Sequence, residues 1–390
     1  MIINFKSSIQ READRFFKAL FQEDFNIREV TKGAFSQARA KLDPKAFKKL
    51  NKIAVDTFYA KAPFTKWNGK RLLSVDGTRL MLPNHPSIVE TFGTHQFGPK
   101  ADATRSLAMG SILYDPLNQI ALDSQIAPYI DSERDLLEKH LEYMQEGDVL
   151  LLDRGYPCFW LLFLLKAKKI DFCVRLKDNW WLKVNDFVKS SDTQRIVSFK
   201  LPKKDYGKMK DYPAWQQSEI SCRLVKVVLE EGKTEILCTS LIDTQLYPQE
   251  EFKALYHHRW AEEEAFKLLK NRIELEQFSG KTALAVQQDF HAKVFLLTLT
   301  AAFAHPIAEK VKKEFKADQT RQYDQQINRT NAIATTSEVF IGLFLREIPH
   351  KALEAFDQLV YKTREIIRPN RSEPRKHRQK KPYSMNYKPL

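Results

Sequence analysis

The hydrophobic period changes along the chain, and the order of the resulting segments leaves few folds open. Up to about residue 66, apolar residues recur at three and four spacing in ADRFFKALFQEDF and GAFSQARAKLDPKAFKKLNKIAVDTFY, which predicts helices. Beyond the polar turn Trp67-Asn68-Gly69-Lys70 the pattern becomes β-like in RLLSVDGTRLML, TRSLAMGSILYD and NQIALDSQIAP. The last two are separated by the turn Asp115-Pro116-Leu117-Asn118, so the three read as an antiparallel meander. A helix capped by Asp131 or Ser132 follows in SERDLLEKHLEYM and ends at Gly147. Then come a buried strand in GDVLLLDRGYP, a helix in CFWLLFLLKAKK and a strand in IDFCVRLK. The order β-β-β-α-β-α-β implies a mixed sheet covered by helices.

This is the element order of the ribonuclease-H-like fold. The expected class is α/β: a ribonuclease-H-like mixed-sheet core over 67–305 with a β-rich insertion, flanked by helical N- and C-terminal regions. The insertion is read at about 178–242, where QRIVSFKLP, EISCRLVKVVLEE and KTEILCTSLI look like strands and Glu231-Gly232-Lys233 turns the last two into a hairpin. Pro248 then opens a long helix, PQEEFKALYHHRWAEEEAFKLLKNRIE, and more helix is expected over about 282–314 and 335–365. Residues 1–66 are expected to form a helical DNA-binding domain and 306–363 a C-terminal helical region. A basic flexible tail over 364–390 carries Arg368, Arg371, Arg375, Lys376, Arg378, Lys380 and Lys381. In the N-terminal domain, NIREVTKGAFSQARAKL reads as a short helix, a turn at Lys32-Gly33 and a second helix with Ser36, Gln37, Arg39 and Lys41 on its polar side. A DNA-binding helix-turn-helix and an ordinary helical hairpin both fit that pattern.

Charge narrows the partners. With 63 Lys and Arg against 49 Asp and Glu the formal net charge is +14, which suits a polyanion, because cations that neutralise phosphates release condensed counterions. Cys158, Cys173, Cys222 and Cys238 lie far apart without a C-x-x-C pair, so they read as reduced, mostly buried thiols. No secretory or transit signature is seen at the N-terminus, and the apolar stretches 159–165 and 294–304 are shorter than the roughly 20 residues of a membrane span. The expectation is a cytoplasmic protein with no membrane partner.

Two aspartates stand out. Asp76 lies within the apolar strand LLSVDGT and Asp153 ends LLLDRGY, positions where an unpaired carboxylate costs several kcal/mol to bury. Taken singly, either is accounted for by a turn or cap. Taken together, at adjacent positions of one sheet, they can converge on a divalent metal, and oxygen ligands with no Cys or His nearby suit Mg²⁺. For a third carboxylate the helix after the insertion offers Glu262, Glu263 and Glu264. At about 100° per residue, Tyr256, Arg259, Glu263 and Lys270 share one face, whereas Glu262 and Glu264 point away from it. The plain account of that face is a solvated i to i+4 pair between Arg259 and Glu263.

At YHHRWAEEEAFKLLK the chain resembles the transposases of the insertion-sequence-four family, whose Tyr, Arg, Glu, Lys signature has gaps of two, three and six residues. Tyr256, Arg259, Glu263 and Lys270 match it position by position, and SVDGT and LLDRGY resemble the family's two aspartate motifs, in order. The resemblance covers about 67–305. It implies a DDE-type enzyme, a cut-and-paste DNA transposase, in which Asp76, Asp153 and Glu263 are the catalytic residues and hold two Mg²⁺ ions, with Mn²⁺ an alternative. Tyr256, Arg259 and Lys270 would contact DNA phosphate. It also implies double-stranded DNA partners, namely terminal repeats and target DNA, a homodimer on paired ends, and a hairpin intermediate. Alternatives of another kind are a non-catalytic DNA-binding protein derived from such an element and a nuclease that cuts without joining.

Other motifs are weaker. Gly280-Lys281-Thr282 lacks the upstream glycine of a P-loop, and the chain has no G-x-G-x-x-G cradle. His257 and His258 diverge by about 100° on a helix and make a poor metal pair. Trp260 could stack on a base, but core packing is the favoured expectation.

Overall fold

The computed structural model describes residues 2–4, 7–97, 103–177, 181–229, 232–346 and 348–368. Of the expected tail, positions 369–390, and of the expected hairpin turn, Glu231, lie outside the described residues. Strands β1 (Leu72–Met81), β2 (Leu107–Asp115), β3 (Ile120–Pro128), β4 (Val149–Leu152), β5 (Asp171–Leu176), β6 (Gln194–Lys200), β7 (Glu219–Val228) and β8 (Thr234–Thr239) form one sheet. Its order is β3-β2-β1-β4-β5-β8-β7-β6. The main helices are α1 (Ile9–Phe21), α2 (Lys32–Ala40), α3 (Lys45–Lys61), α4 (Glu133–His140), α5 (Phe159–Ala167), α6 (Leu182–Lys189), α7 (Glu251–His257), α8 (Ala261–Asn271), α9 (Ala283–Glu314), α10 (Arg329–Phe344) and α11 (Pro349–Lys362).

The meander β1-β2-β3 is antiparallel, and β4 and β5 run parallel to β1 through the crossovers α4 and α5. Five strands in the order β3-β2-β1-β4-β5, with only β2 reversed, are the ribonuclease-H-like arrangement expected from the element order. The apolar run VLLL of β4 is buried throughout, as a parallel strand covered on both faces must be. One layer is formed by α5 with Leu161, Phe163 and Leu165 against Val75, Leu150 and Phe172. On the other side, α9 packs Phe290, Val294 and Leu297 against Ile112 and Tyr114. Helix α9 is long and apolar enough to cross a membrane by length and composition, yet it buries Asp289, His291 and Lys293 within this core.

The insertion continues the same sheet: β8 pairs antiparallel with β5, then β7 with β8 and β6 with β7. It also contains α6, where no helix was expected. Only Val184 and Phe187 of that short helix are buried, two anchors that are too few to show a period. The expected helix after Pro248 is broken into α7, a 3-10 turn at His258–Trp260 and α8. The expected helix over 335–365 is two helices, the second opening with Pro349 at its first position.

No helix-turn-helix forms at residues 26–41. Lys32 and Gly33 are not a turn but the start of α2, capped by Thr31, whose side chain accepts from Ala34 N at 3.2 Å. The preceding NIREV is non-helical, and Gln10 holds it by bonding Val30 O at 2.9 Å and Lys32 N at 2.8 Å. Arg39 is not on a polar outer face: it is buried and paired with Asp289 of α9 at 2.8 Å.

Lys293 on α9 donates to the carbonyls of Glu274 at 2.7 Å and Gln277 at 3.0 Å. Burial lowers its pKa to about 8, with Asp289 and Glu274 opposing. Because the unfolded chain keeps its lysine protonated to higher pH, folding carries a penalty below about pH 8 that fades as pH rises toward 10. Urea unfolding should therefore show a stability slope up to about 1.4 kcal/mol per pH unit steeper in the wild type than in Lys293→Met across this window.

Candidate active site

The two aspartates come together because of strand register. Ser74 of β1 lies opposite Leu151 of β4, and Asp76 and Asp153 are each two residues further on. Here β4 ends, while β1 continues along β2, so Asp153 opens the turn Asp153-Arg154-Gly155-Tyr156, closed by Tyr156 N donating to Asp153 O at 3.1 Å. Asp76 Oδ1 accepts from Gly77 N at 2.8 Å. Burial raises its pKa to about 6; the Gly77 bond and Arg259 oppose this, while Glu133 and Asp153 add to it. Asp153 Oδ1 faces Arg175 Nε of β5 at 3.6 Å, a buried oxygen with no hydrogen bond.

The third acid arrives on the broken helix, which is fastened to the sheet at both ends. Tyr256 OH donates to Leu152 O at 3.3 Å, beside Asp153, and Lys270 Nζ donates to Arg79 O of β1 at 2.8 Å. Between them Arg259, 3% exposed, reaches Glu263 at 3.4 Å and Glu262 at 3.5 Å, and its guanidinium lies 4.7 Å from the Trp260 ring centre. Burial works against that charge, but Tyr256, Glu262, Asp153 and Asp76 outweigh it and hold the pKa above the ordinary arginine value. Burial lowers the pKa of Lys270.

Two expectations fail here. Glu262 is not turned away: it is 1% exposed and faces the site, with neither carboxylate oxygen completing a hydrogen bond. Burial holds its pKa well above the usual range, and Asp76 raises it further. The cause is the 3-10 turn, which winds about 120° per residue and advances the phase by roughly 60° over its three residues. Trp260 is exposed rather than packed in the core. Glu264 does point outward, paired with Lys267.

Glu133, read from the sequence only as a helix residue, is also at the site: its charge adds to the raised pKa of Asp76, and burial, then Asp153, raise its own. A charged residue in a first helical turn is ordinary, so no sequence signal marked it.

Among the described residues no three His, Cys, Asp or Glu side chains converge closely enough to hold a metal ion. The donor set nevertheless fits a hard divalent cation. All the acids offer oxygen, Asp153 Oδ1 and both Glu262 oxygens are buried without hydrogen bonds, and Asp76 is raised by burial first and then by its acidic neighbours.

Residues 67–299, well over half of the chain, match the family described as transposase DDE domain. The chain is 25% identical over 294 residues to transposase InsG for insertion sequence element IS4 of Escherichia coli strain K12, covering 73% of this chain and 63% of that protein. It thus spans less than two thirds of that relative. Among solved structures, the piggyBac transposase synaptic complex with hairpin DNA matches with a TM-score of 0.42 and 9% identity, over 92% of this chain and 84% of that one. The Tyr256-Arg259-Glu263-Lys270 signature and the InsG match agree with the insertion-sequence-four type. The chain belongs to the transposase DDE domain family.

Proposed function

We propose that this chain is a DNA transposase that cuts and rejoins DNA at the terminal repeats of its own element, with Asp76, Asp153 and Glu263 holding two divalent cations, Mg²⁺ or Mn²⁺. The observation that carries this reading is the register that sets Asp76, within β1, beside Asp153, just past the end of the parallel strand β4, with the Glu263 helix fastened across them. When bound, such a pair of ions activates the attacking oxygen and stabilises the leaving oxygen of an in-line phosphodiester displacement. The protein's part is to present carboxylates, with Arg259 opposing the burial that raises Asp76 and Glu262. Arg259 holds Glu263 in reserve and moderates the acidic cluster; with Tyr256 and Lys270 it is the proposed phosphate contact, each needing to exchange its present partner for DNA. The helical region 1–66 would bind DNA, and two copies would act on paired ends.

The test is incubation of the purified protein with DNA carrying the element ends, with and without Mg²⁺. The expected result is nicking and joining at those ends that requires the metal. Metal-dependent cutting without joined products would favour a nuclease, and binding without cutting in either metal would sink the enzymatic reading in favour of a DNA-binding derivative.

A further inference from the structure

We infer that Glu133 is a fourth carboxylate of the catalytic site, facing the same divalent cations as Asp76 and Asp153. This rests on the proposed function above and extends its ligand set.

The placement is tight. A Cβ built on Gly77, the residue after Asp76, would lie 2.7 Å from Glu133 Oε1, and one on Gly155, two residues after Asp153, would lie 3.6 Å from Glu133 Oε2. One carboxylate therefore fills the space that Gly77 leaves open and lies in ordinary contact distance of Gly155. The next residue fixes it there: Arg134 donates to Gly155 O at 2.8 Å and Tyr156 O at 2.9 Å, tying the first turn of α4 to the turn that follows Asp153. Ser132 caps the same turn by accepting from Arg134 N at 3.1 Å. Among the described residues no hydrogen bond or ion pair occupies the Glu133 carboxylate itself.

A second observation points to a missing cationic partner. Tyr156 is 1% exposed, and its hydroxyl has no hydrogen-bond partner although it lies in the field of Glu133, Asp76, Glu262 and Asp153. Glu262, buried to the same degree, meets Arg259 no closer than 3.5 Å. A partly buried carboxylate such as Glu133, with no donor of its own, is expensive for a protein that has nothing to bind there. Burial raises the pKa of Glu133 and Asp153 raises it further, as crowding of like charges requires. Carboxylate oxygens suit Mg²⁺ or Mn²⁺, and each added carboxylate strengthens such a site.

The experiment is Mn²⁺ binding by the full chain without DNA, followed by calorimetry and by the electron paramagnetic resonance of free Mn²⁺. Wild type is expected to bind, Asp153→Asn to lose that binding, and Glu133→Gln to weaken it at least about tenfold. Glu138→Gln, on the exposed side of α4, should bind as wild type does. Gly77→Ala displaces the Glu133 carboxylate without removing an acid and should weaken binding as well. If Glu133→Gln, or Gly77→Ala should the former not fold, binds Mn²⁺ as wild type does while Asp153→Asn fails, the assignment of Glu133 is overturned and the three-acid reading stands. If Asp76→Asn, Asp153→Asn and Glu263→Gln all bind normally, that reading falls and takes this inference with it.

Discussion

Asp76→Asn should lower strand cleavage by more than about a thousandfold and at the same time raise the melting temperature of the metal-free protein at pH 7. The loss follows from the proposed role: a metal ligand supports several kcal/mol of transition-state stabilisation, and each 1.4 kcal/mol is a factor of ten in rate. The gain follows from linkage. Burial raises the folded-state pKa of Asp76 to about 6, against 3.8 as its ordinary value. A group raised in this way favours the fold below about pH 3.8 and loses that contribution as pH rises through 6, so at neutral pH its charge opposes folding. Asparagine keeps an oxygen to accept from Gly77 N, removes the charge, and relieves Glu133 and Asp153 of a neighbour. Melting curves at pH 7 and pH 4 without metal, beside a cleavage assay with Mg²⁺, check both halves. A variant that cuts at the wild-type rate removes Asp76 from the site. A variant that is less stable at pH 7 refutes the account of the cluster as a set of acids held together against their own repulsion.

How much of this was legible in the sequence depends on whether a residue violates its local pattern. Asp76 and Asp153 do: a carboxylate inside or at the end of an apolar strand contradicts its surroundings, and the strand order then sets them side by side. Glu263 was marked by its offsets from Tyr256, Arg259 and Lys270. Glu133 violates nothing, because an acid in the first turn of a helix is where one belongs; its inferred role comes from Gly77, distant in sequence, which makes room for it. Glu262 departs from a uniform helical wheel because the backbone tightens into a 3-10 turn at residues 258–260. The strands of the insertion were legible as strands, but not their attachment. Pairing of β8 with β5 is a contact between segments some 60 residues apart that no local period encodes.

Arg39 shows the same limit most sharply, and it carries the second large prediction. On a helical wheel it sits with Ser36, Gln37 and Lys41 and reads as a surface cation. In the fold, α2 lies against α9, and the guanidinium spends its donors on Gln288 Oε1 at 2.5 Å, Ala285 O at 3.0 Å, Asp289 Oδ1 at 2.8 Å and the Ser279 hydroxyl. Gln288 returns the connection by donating to Arg39 O at 3.0 Å and Leu42 O at 2.6 Å. Asp289 is 1% exposed, so removing its cation strands a buried charge, for which the expected cost is about 3–5 kcal/mol. Arg39→Ala should therefore destabilise the whole chain in urea, and Arg39→Met should do nearly as much, since what is lost is the partner of Asp289 rather than volume. Arg39→Met combined with Asp289→Leu should recover a large part of the loss, because a buried ion pair replaced on both sides is far cheaper than one broken on one side. If Arg39→Ala instead leaves stability unchanged and weakens only DNA binding, the arginine faces DNA after all. Helix α2 would then not be fastened to the catalytic core as this ion pair implies.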